Sequence, residues 1–293
     1  MRNEEIFLPI YDNGNFRTIA VRDSGPIHAE HVFLCLPGLL ETSSCFSEFS
    51  KNISDDQRVI LLDYAGRGAS EKLSNFVQYK MSSCLIDIYA AIVYIMGFEV
   101  LEKRNFSTLS TLNQRKRPDI HLVGNSMGGL LAVAFATNHP NIPTSIVLND
   151  VGILLPWSGL FSMMGAIGRN SSFLSDGLLK LGANSFANEL EVDPRLLRSV
   201  LKPAYADLAF EQNSQGLSFQ KYFSKLKKPL LLVHSEESPL VNKTVLDAMK
   251  KIDLNVTFYS VEGSQHPAPY TPNIIGKILE FCGDTSNQSM MFS

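Results

Sequence analysis

Cysteine is scarce and scattered. The 293-residue chain has four, at positions 35, 45, 84 and 282, and no Cys-x-x-Cys pair. That spacing gives neither a zinc knuckle nor a disulfide framework. Cys35 and Cys282 lie in apolar runs and read as buried free thiols. An excess of one charge is missing too. Lys and Arg number 26 against 29 Asp and Glu, a net charge of −3, so no basic balance points to a nucleic-acid partner. No apolar h-region follows Met1-Arg2-Asn3-Glu4-Glu5. No secretory signal is therefore read there, and a reduced, cytoplasmic compartment is the default expectation. A clean membrane span is also lacking. The uncharged stretch Val151 to Gly168 is interrupted by Pro156 and four glycines and is barely long enough.

What is present is apolar material in a particular order. With 45% apolar residues, the chain can build one large core, or a core with a small inserted domain, and bury about 75% of its surface. Residues 5–23 read as two strands joined by a turn at Asp12-Asn13-Gly14-Asn15. His31 to Leu36, Arg58 to Asp63, Ile120 to Val123, Ser145 to Asp150 and Pro229 to His234 are continuous apolar runs without alternation. Parallel strands buried on both faces have that pattern. Helices are expected over Tyr79 to Met96, after Ser126, over Asn242 to Ile252, and from about Pro272 to Phe281, with a last strand over Val256 to Val261. Alternating strands and helices mean an α/β fold with a mostly parallel sheet, here of eight strands. The charged stretch from Glu99 to Arg117 reads as a solvated connection in preference to an anion site. The tail from Gly283 onward is polar and expected to fray.

The alternation breaks between Asp150 and Pro229. Residues 151–228 read as a helical cap inserted after the sixth strand, with core segments 1–150 and 229–293 on either side. Its uncharged first part carries Leu154, Leu155, Trp157, Leu160, Phe161, Met163 and Met164. An apolar lid over a pocket is the preferred reading, and contact of that lid with a membrane surface is the variant to test.

Chemistry enters at Gly124-Asn125-Ser126-Met127-Gly128, which joins a strand-like run to a helix-like one. A serine that attacks a carbonyl must stand on a sharp turn clear of its own backbone, and glycines beside it make the room. The helix that follows turns its free N–H groups toward the serine, where an oxyanion develops. A serine hydroxyl also needs a base in hydrogen-bond reach, and the base needs a carboxylate to fix its tautomer. Of six histidines, His28 and His31 precede a strand, His121 lies within one, and His139 sits at a helix end, so these read as surface, packing or capping residues. His234 ends a strand and is a second candidate; His266, in a glycine-flanked loop after the last strand, is the preferred base.

With these motifs in place the chain resembles the α/β-hydrolase family over nearly its whole length. Leu36-Pro37-Gly38-Leu39 matches the family's turn after the third strand, which implies Leu39 N–H and Met127 N–H as the two oxyanion donors. Asp63-Tyr64-Ala65-Gly66-Arg67-Gly68-Ala69-Ser70 matches an Asp-x-x-Gly-x-Gly-x-Ser loop and reads as structural, with Arg67 expected to pair with a carboxylate. Gly263-Ser264-Gln265-His266-Pro267 matches the histidine loop, and the family places its cap where residues 151–228 fall. The acid departs from the usual pattern. Most members carry it after the seventh strand, but here the segment is Ser235-Glu236-Glu237-Ser238-Pro239, and the expected aspartate falls on Ser238 or Pro239. Some capped members place it after the sixth strand, where Asp150 stands. Asp150, Glu237, Glu236, or no working acid remain the alternatives.

A serine at this turn, where relatives that open epoxides or displace halide use aspartate, implies acyl transfer: an ester, thioester, lactone, or a carbon–carbon bond beside a ketone. No metal or organic cofactor is required. The expected partner is a small apolar ester-like substrate. The competing reading is a binding or signalling module on the same scaffold with turnover weak or lost, and a third is a lipid-directed enzyme. Fold alone does not separate them.

Overall fold

The computed structural model describes residues 3–12, 15–75, 78–97, 117–170, 186–208, 210–252, 255–263 and 265–291. The strands are β1 (Asn3–Asp12), β2 (Asn15–Ser24), β3 (His31–Leu36), β4 (Arg58–Leu62), β5 (Asp119–Asn125), β6 (Pro143–Asn149), β7 (Leu154–Pro156), β8 (Glu211–Gln212), β9 (Gly216–Ser218), β10 (Leu230–Ser235) and β11 (Val256–Val261). Eight of them form one sheet in the order β1-β2-β4-β3-β5-β6-β10-β11. β1 pairs antiparallel with β2, and β2 antiparallel with β4; the remaining pairs are parallel.

The unbroken apolar runs follow from burial on both faces. Side chains alternate across a strand, so Val32, Leu34 and Leu36 of β3 enter one core cluster while Phe33 and Cys35 enter the other. β4 divides in the same way, with Ile60 and Leu62 on one side and Val59 and Leu61 on the other. The larger cluster also takes in the helices Met81–Ile95 and Met127–Asn138, and the smaller takes in the helix that starts at Pro272. Met127 to Ala136 are all buried, which explains why that helix shows apolar residues all round and no amphipathic stripe.

The order β4-β3-β5 matters most for the site. From β3 the chain goes to β4 on one side, and β5 then lies on the other. At such a reversal the loops leaving the two strands diverge and open a crevice at their carboxyl ends. Leu39 follows β3 there, and Ser126 follows β5.

The connection from β6 to β10 differs from the all-helical expectation. It contains helices Trp157–Asn170, Pro194–Val200 and Gln220–Phe223, but also a small antiparallel sheet in the order β7-β9-β8. Leu154 and Leu155 therefore lie in a strand, and Trp157 Nε1 donates to Asn213 O at 2.9 Å beside it. Periodicity could not register strands of two and three residues. The inserted segment is tied to the core by Gly68 N–H to Glu191 O (2.8 Å), Asp193 N–H to Gly66 O (2.8 Å) and Tyr79 OH to Asp193 Oδ2 (2.6 Å). Among the described residues no helix is long and apolar enough to cross a membrane.

Two further expectations shift. The final helix runs Pro272–Met291, past the point where fraying was expected at Gly283. Its continuation is anchored, because Cys282, Thr285 and Ser286 are buried and Ser286 Oγ meets His31 Nδ1 at 3.4 Å. Of the charged stretch from Glu99, only Arg117 is among the described residues.

Candidate active site

The turn after β5 is built by excluding side chains around one serine. A Cβ on Gly128 would lie 2.0 Å from Leu36 O, and one on Gly124 would lie 2.4 Å from Gly129 N. Neither position accepts even a methyl group. Ser126 between them has φ 46° and ψ −116°, a conformation that L-residues rarely adopt and that costs on the order of 1–3 kcal/mol. Its N–H donates to Asn149 O at 2.9 Å, and its carbonyl receives Gly129 N–H at 3.0 Å. The hydroxyl is thereby lifted to the crevice at the strand ends.

His266 Nε2 stands 2.9 Å from Ser126 Oγ, and His266 Nδ1 stands 2.7 Å from Asp150 Oδ2. The imidazole side chain is 20% exposed and the Asp150 side chain 0%. Asp150 follows β6 directly and, like Ser126, has a positive φ, 59°. An aspartate tolerates that region better than most side chains. Its backbone N–H continues the sheet pairing to Val233 O at 2.8 Å, which holds the carboxylate at the edge of the crevice. Ser238 Oγ donates to Asp150 Oδ2 at 2.8 Å, and Ser235 N–H donates to Oδ1 at 3.3 Å. Ser238, one of the two positions on which the family's usual aspartate is expected, thus binds the Asp150 carboxylate.

The other candidates are placed elsewhere. Glu236 and Glu237 are exposed, so the structure does not bring them to the histidine. His28 is exposed. His234 is buried, with Nδ1 3.1 Å from Ser235 O. His139 packs on Phe135 and Tyr89. His121 is wholly buried beside Ser145 Oγ (2.8 Å), and His31, only half-exposed, stacks on it. Burial and the neighbouring His31 push the His121 value down from 6.5 to about 3, so this ring stays neutral.

Three residues that the sequence did not single out hold the site in register. Asn149 Nδ2 donates to Ala268 O at 2.8 Å and its Oδ1 receives Ala268 N–H at 3.0 Å, clamping the chain just after His266. Ser235 Oγ donates to Gln265 O at 2.7 Å, just before it. Asn125 Oδ1 receives Tyr270 OH at 2.7 Å and Asn149 Nδ2 at 3.2 Å. The available signal was an asparagine at the carboxyl end of each of two apolar strands, next to Ser126 and Asp150. A buried amide there needs partners and finds them in loop backbone.

The turn carrying Leu39 is gripped at two points. Glu41 Oε2 receives Gly38 N–H at 2.7 Å, and Arg67 donates to Leu39 O through Nε (3.1 Å) and Nη2 (2.8 Å). Met127 is the first residue of its helix, so its N–H has no partner four residues back within that helix. Arg67 departs from expectation. Its partners are carbonyl oxygens of Leu39 and Ala65 (3.3 Å) and the Tyr205 hydroxyl (2.9 Å), not a carboxylate. Arg67 is 1% exposed, and a fork of N–H groups matches several fixed carbonyl dipoles without a second buried charge. Asp63 instead caps backbone, receiving Ser43 N–H at 2.6 Å and Ala69 N–H at 3.1 Å. No group of three or more His, Cys, Asp or Glu side chains able to hold a metal ion occurs among the described residues.

Comparison with known proteins gives the same architecture. A solved α/β hydrolase from Novosphingobium aromaticivorans superposes with a TM-score of 0.67, covering 96% of this chain and 98% of that one at 19% identity. The 2-(acetamidomethylene)succinate hydrolase of Mesorhizobium japonicum is 22% identical over 263 residues, 85% of each chain. A serine hydrolase-like protein of Danio rerio is 27% identical over 132 residues, 45% of this chain, and the match spans only 34% of that protein's length. The model of the alpha/beta hydrolase fold matches residues 31–193, more than half of the sequence, and the chain belongs to that family.

Proposed function

We propose that the protein is a serine hydrolase that transfers an acyl group to water, most simply a carboxylesterase acting on small apolar esters. The observation that carries this reading is the line from Ser126 Oγ through His266 to Asp150, at 2.9 and 2.7 Å. Each link has a chemical use. His266 Nε2 takes the serine proton as Oγ bonds to the substrate carbonyl carbon. Asp150 receives the Nδ1–H, fixes the tautomer and stabilises the imidazolium that forms. The carbonyl oxygen becomes an oxyanion received by Leu39 N–H and Met127 N–H. Collapse breaks the bond to the leaving group, which departs with the proton from Nε2. Water then gives a proton to Nε2 as it attacks the acyl-serine carbonyl, and collapse breaks the bond to Oγ, with Nε2 returning that proton to Ser126 Oγ as the acid leaves. Every proton is accounted for within the protein and water.

The apolar preference is supported by the helix Trp157–Asn170, which carries no charged residue before Arg169. The reading of a scaffold without turnover drew its force from the missing acid after β10. Asp150 within 2.7 Å of the imidazole weakens it. The test is steady-state hydrolysis of a short p-nitrophenyl ester. Turnover that disappears in Ser126→Ala supports the assignment, and turnover that survives the substitution overturns it.

A further inference from the structure

The proposed oxyanion hole has two donors from different parts of the fold, and one buried side chain touches the supports of both. Arg67 binds Leu39 O with two N–H groups, at 3.1 and 2.8 Å. Its Nη2 also donates to Tyr205 OH at 2.9 Å. Tyr205 belongs to the segment inserted between β6 and β10, and its hydroxyl in turn lies 3.2 Å from Met127 Sδ. Arg67 is 1% exposed and Tyr205 4%. The connected set Leu39–Arg67–Tyr205–Met127 therefore spans the turn after β3, the loop after β4, the insertion and the first residue of the helix after Ser126.

Each part of this set restricts motion. Leu39 O is fixed by a two-pronged donor, which defines its direction better than one bond does. The preceding peptide is held at Gly38 N–H by Glu41 Oε2, 2.7 Å away. Leu39 N–H lies between these two grips. The loop that carries Arg67 is itself stitched to the insertion. Gly68 N–H donates to Glu191 O and Asp193 N–H donates to Gly66 O, both at 2.8 Å, and Arg67 forms an antiparallel bridge with Val192. The guanidinium thus has little freedom to follow a turn that moves away.

We infer that Arg67 and Tyr205 are positioning residues for the oxyanion hole, and that through them the inserted segment sets the geometry of the acyl-transfer step. Neither touches substrate. Both act by holding Leu39 and Met127 where the developing charge needs their N–H groups. The inference rests on the reading of Ser126, Leu39 and Met127 given above. Its consequence is that the insertion takes part in the chemistry: a single hydroxyl on it changes the chemical rate.

The test uses the full chain with Tyr205→Phe, which removes one oxygen from a buried ring, and Arg67→Lys, which keeps the charge and loses the fork. A misplaced donor loses transition-state binding and spares ground-state binding, and a shift on the order of 1 Å costs up to about 100-fold. For Tyr205→Phe the expected result is kcat on a p-nitrophenyl ester down about tenfold with KM unchanged. The second-order rate of fluorophosphonate labelling and the affinity of an alkylboronic acid, both of which place an oxygen in the hole, fall by the same factor. Arg67→Lys is expected to lose at least as much where it folds. A structural role alone would lower the unfolding temperature and leave kcat, labelling and boronate affinity at wild-type values in the folded fraction. That result overturns the inference, and so does a loss confined to KM. Ser126→Ala run alongside separates the two levels. If it stays active, the functional reading has failed; if it is inactive while Tyr205→Phe matches wild type, only this inference has.

Discussion

The carboxylate behind the imidazole is the feature most open to quantitative attack, through Asp150→Asn. The substitution keeps the shape and removes the charge. Its cost can be worked from the three groups that bind the Asp150 carboxylate. Oδ2 receives His266 Nδ1 at 2.7 Å and Ser238 Oγ at 2.8 Å, while Oδ1 receives Ser235 N–H at 3.3 Å. Ser238 Oγ already accepts from Leu240 N–H and Val241 N–H, at 3.0 and 2.9 Å, so its own proton points to Asp150. An amide has one acceptor end and one donor end. If the oxygen takes the Oδ2 place, His266 keeps its tautomer, and the NH2 faces the Ser235 N–H. The imidazolium then loses a full counter-charge roughly 4 Å away, worth about 4 kcal/mol at an effective dielectric of about 20, or about three decades in rate. If the oxygen takes the Oδ1 place, the NH2 faces Nδ1. The ring proton moves to Nε2, and His266 can no longer accept from Ser126, a loss of about four decades. Either orientation predicts kcat down by about 10³ to 10⁴. The assay is p-nitrophenyl ester turnover beside thermal unfolding of the same preparation. A folded Asp150→Asn protein within tenfold of wild type would refute Asp150 as the acid.

Three other outcomes follow from the same structure. Glu236→Gln and Glu237→Gln leave kcat unchanged, because both side chains are exposed while Asp150 faces the ring; a loss comparable to Asp150→Asn in either would transfer the role. Gly128→Ala forces a methyl group to 2.0 Å from Leu36 O and lowers stability by on the order of 3 kcal/mol, read as the denaturant midpoint; an unchanged midpoint contradicts the packing described for the turn. His121 is neutral in the fold with a value pushed down to about 3, against 6.5 when free. Below pH 6.5 the unfolded chain therefore takes up a proton that the folded chain refuses, and stability falls by about 1.4 kcal/mol per pH unit from this group as pH drops toward 3. His121→Gln is expected to flatten the stability slope between pH 6 and 4 by about one proton, and an identical slope in the variant contradicts it.

The sheet and the nucleophile turn were legible because each leaves a local mark. Strands buried on both faces show as unbroken apolar runs, and Phe33 and Leu34 read alike although they enter different clusters. The turn around Ser126 shows as glycines where no Cβ fits. The short strands β7, β8 and β9 left no mark, since two or three residues cannot establish a period. The carboxylate next to His266 was not decidable from spacing. Asp150 and Ser238 lie 88 positions apart, and which of the competing carboxylates meets the ring is fixed only when β6 and β10 pair and bring the two segments together. Arg67 shows the same limit. An arginine in a tight glycine-containing loop suggested a carboxylate partner, whereas its actual partners come from positions 39, 65 and 205, gathered by tertiary packing.

Chemical activation of Ser126 in the folded protein decides whether this chain turns over an acyl substrate. Reaction with a fluorophosphonate, followed by peptide mapping in a mass spectrometer, tests that most directly. The predicted result is one phosphonyl group, on Ser126, with labelling abolished in Ser126→Ala and nearly abolished in His266→Ala. Folded wild-type protein that takes up no label, or that carries it elsewhere with Ser126→Ala labelled as fast as wild type, would contradict the account.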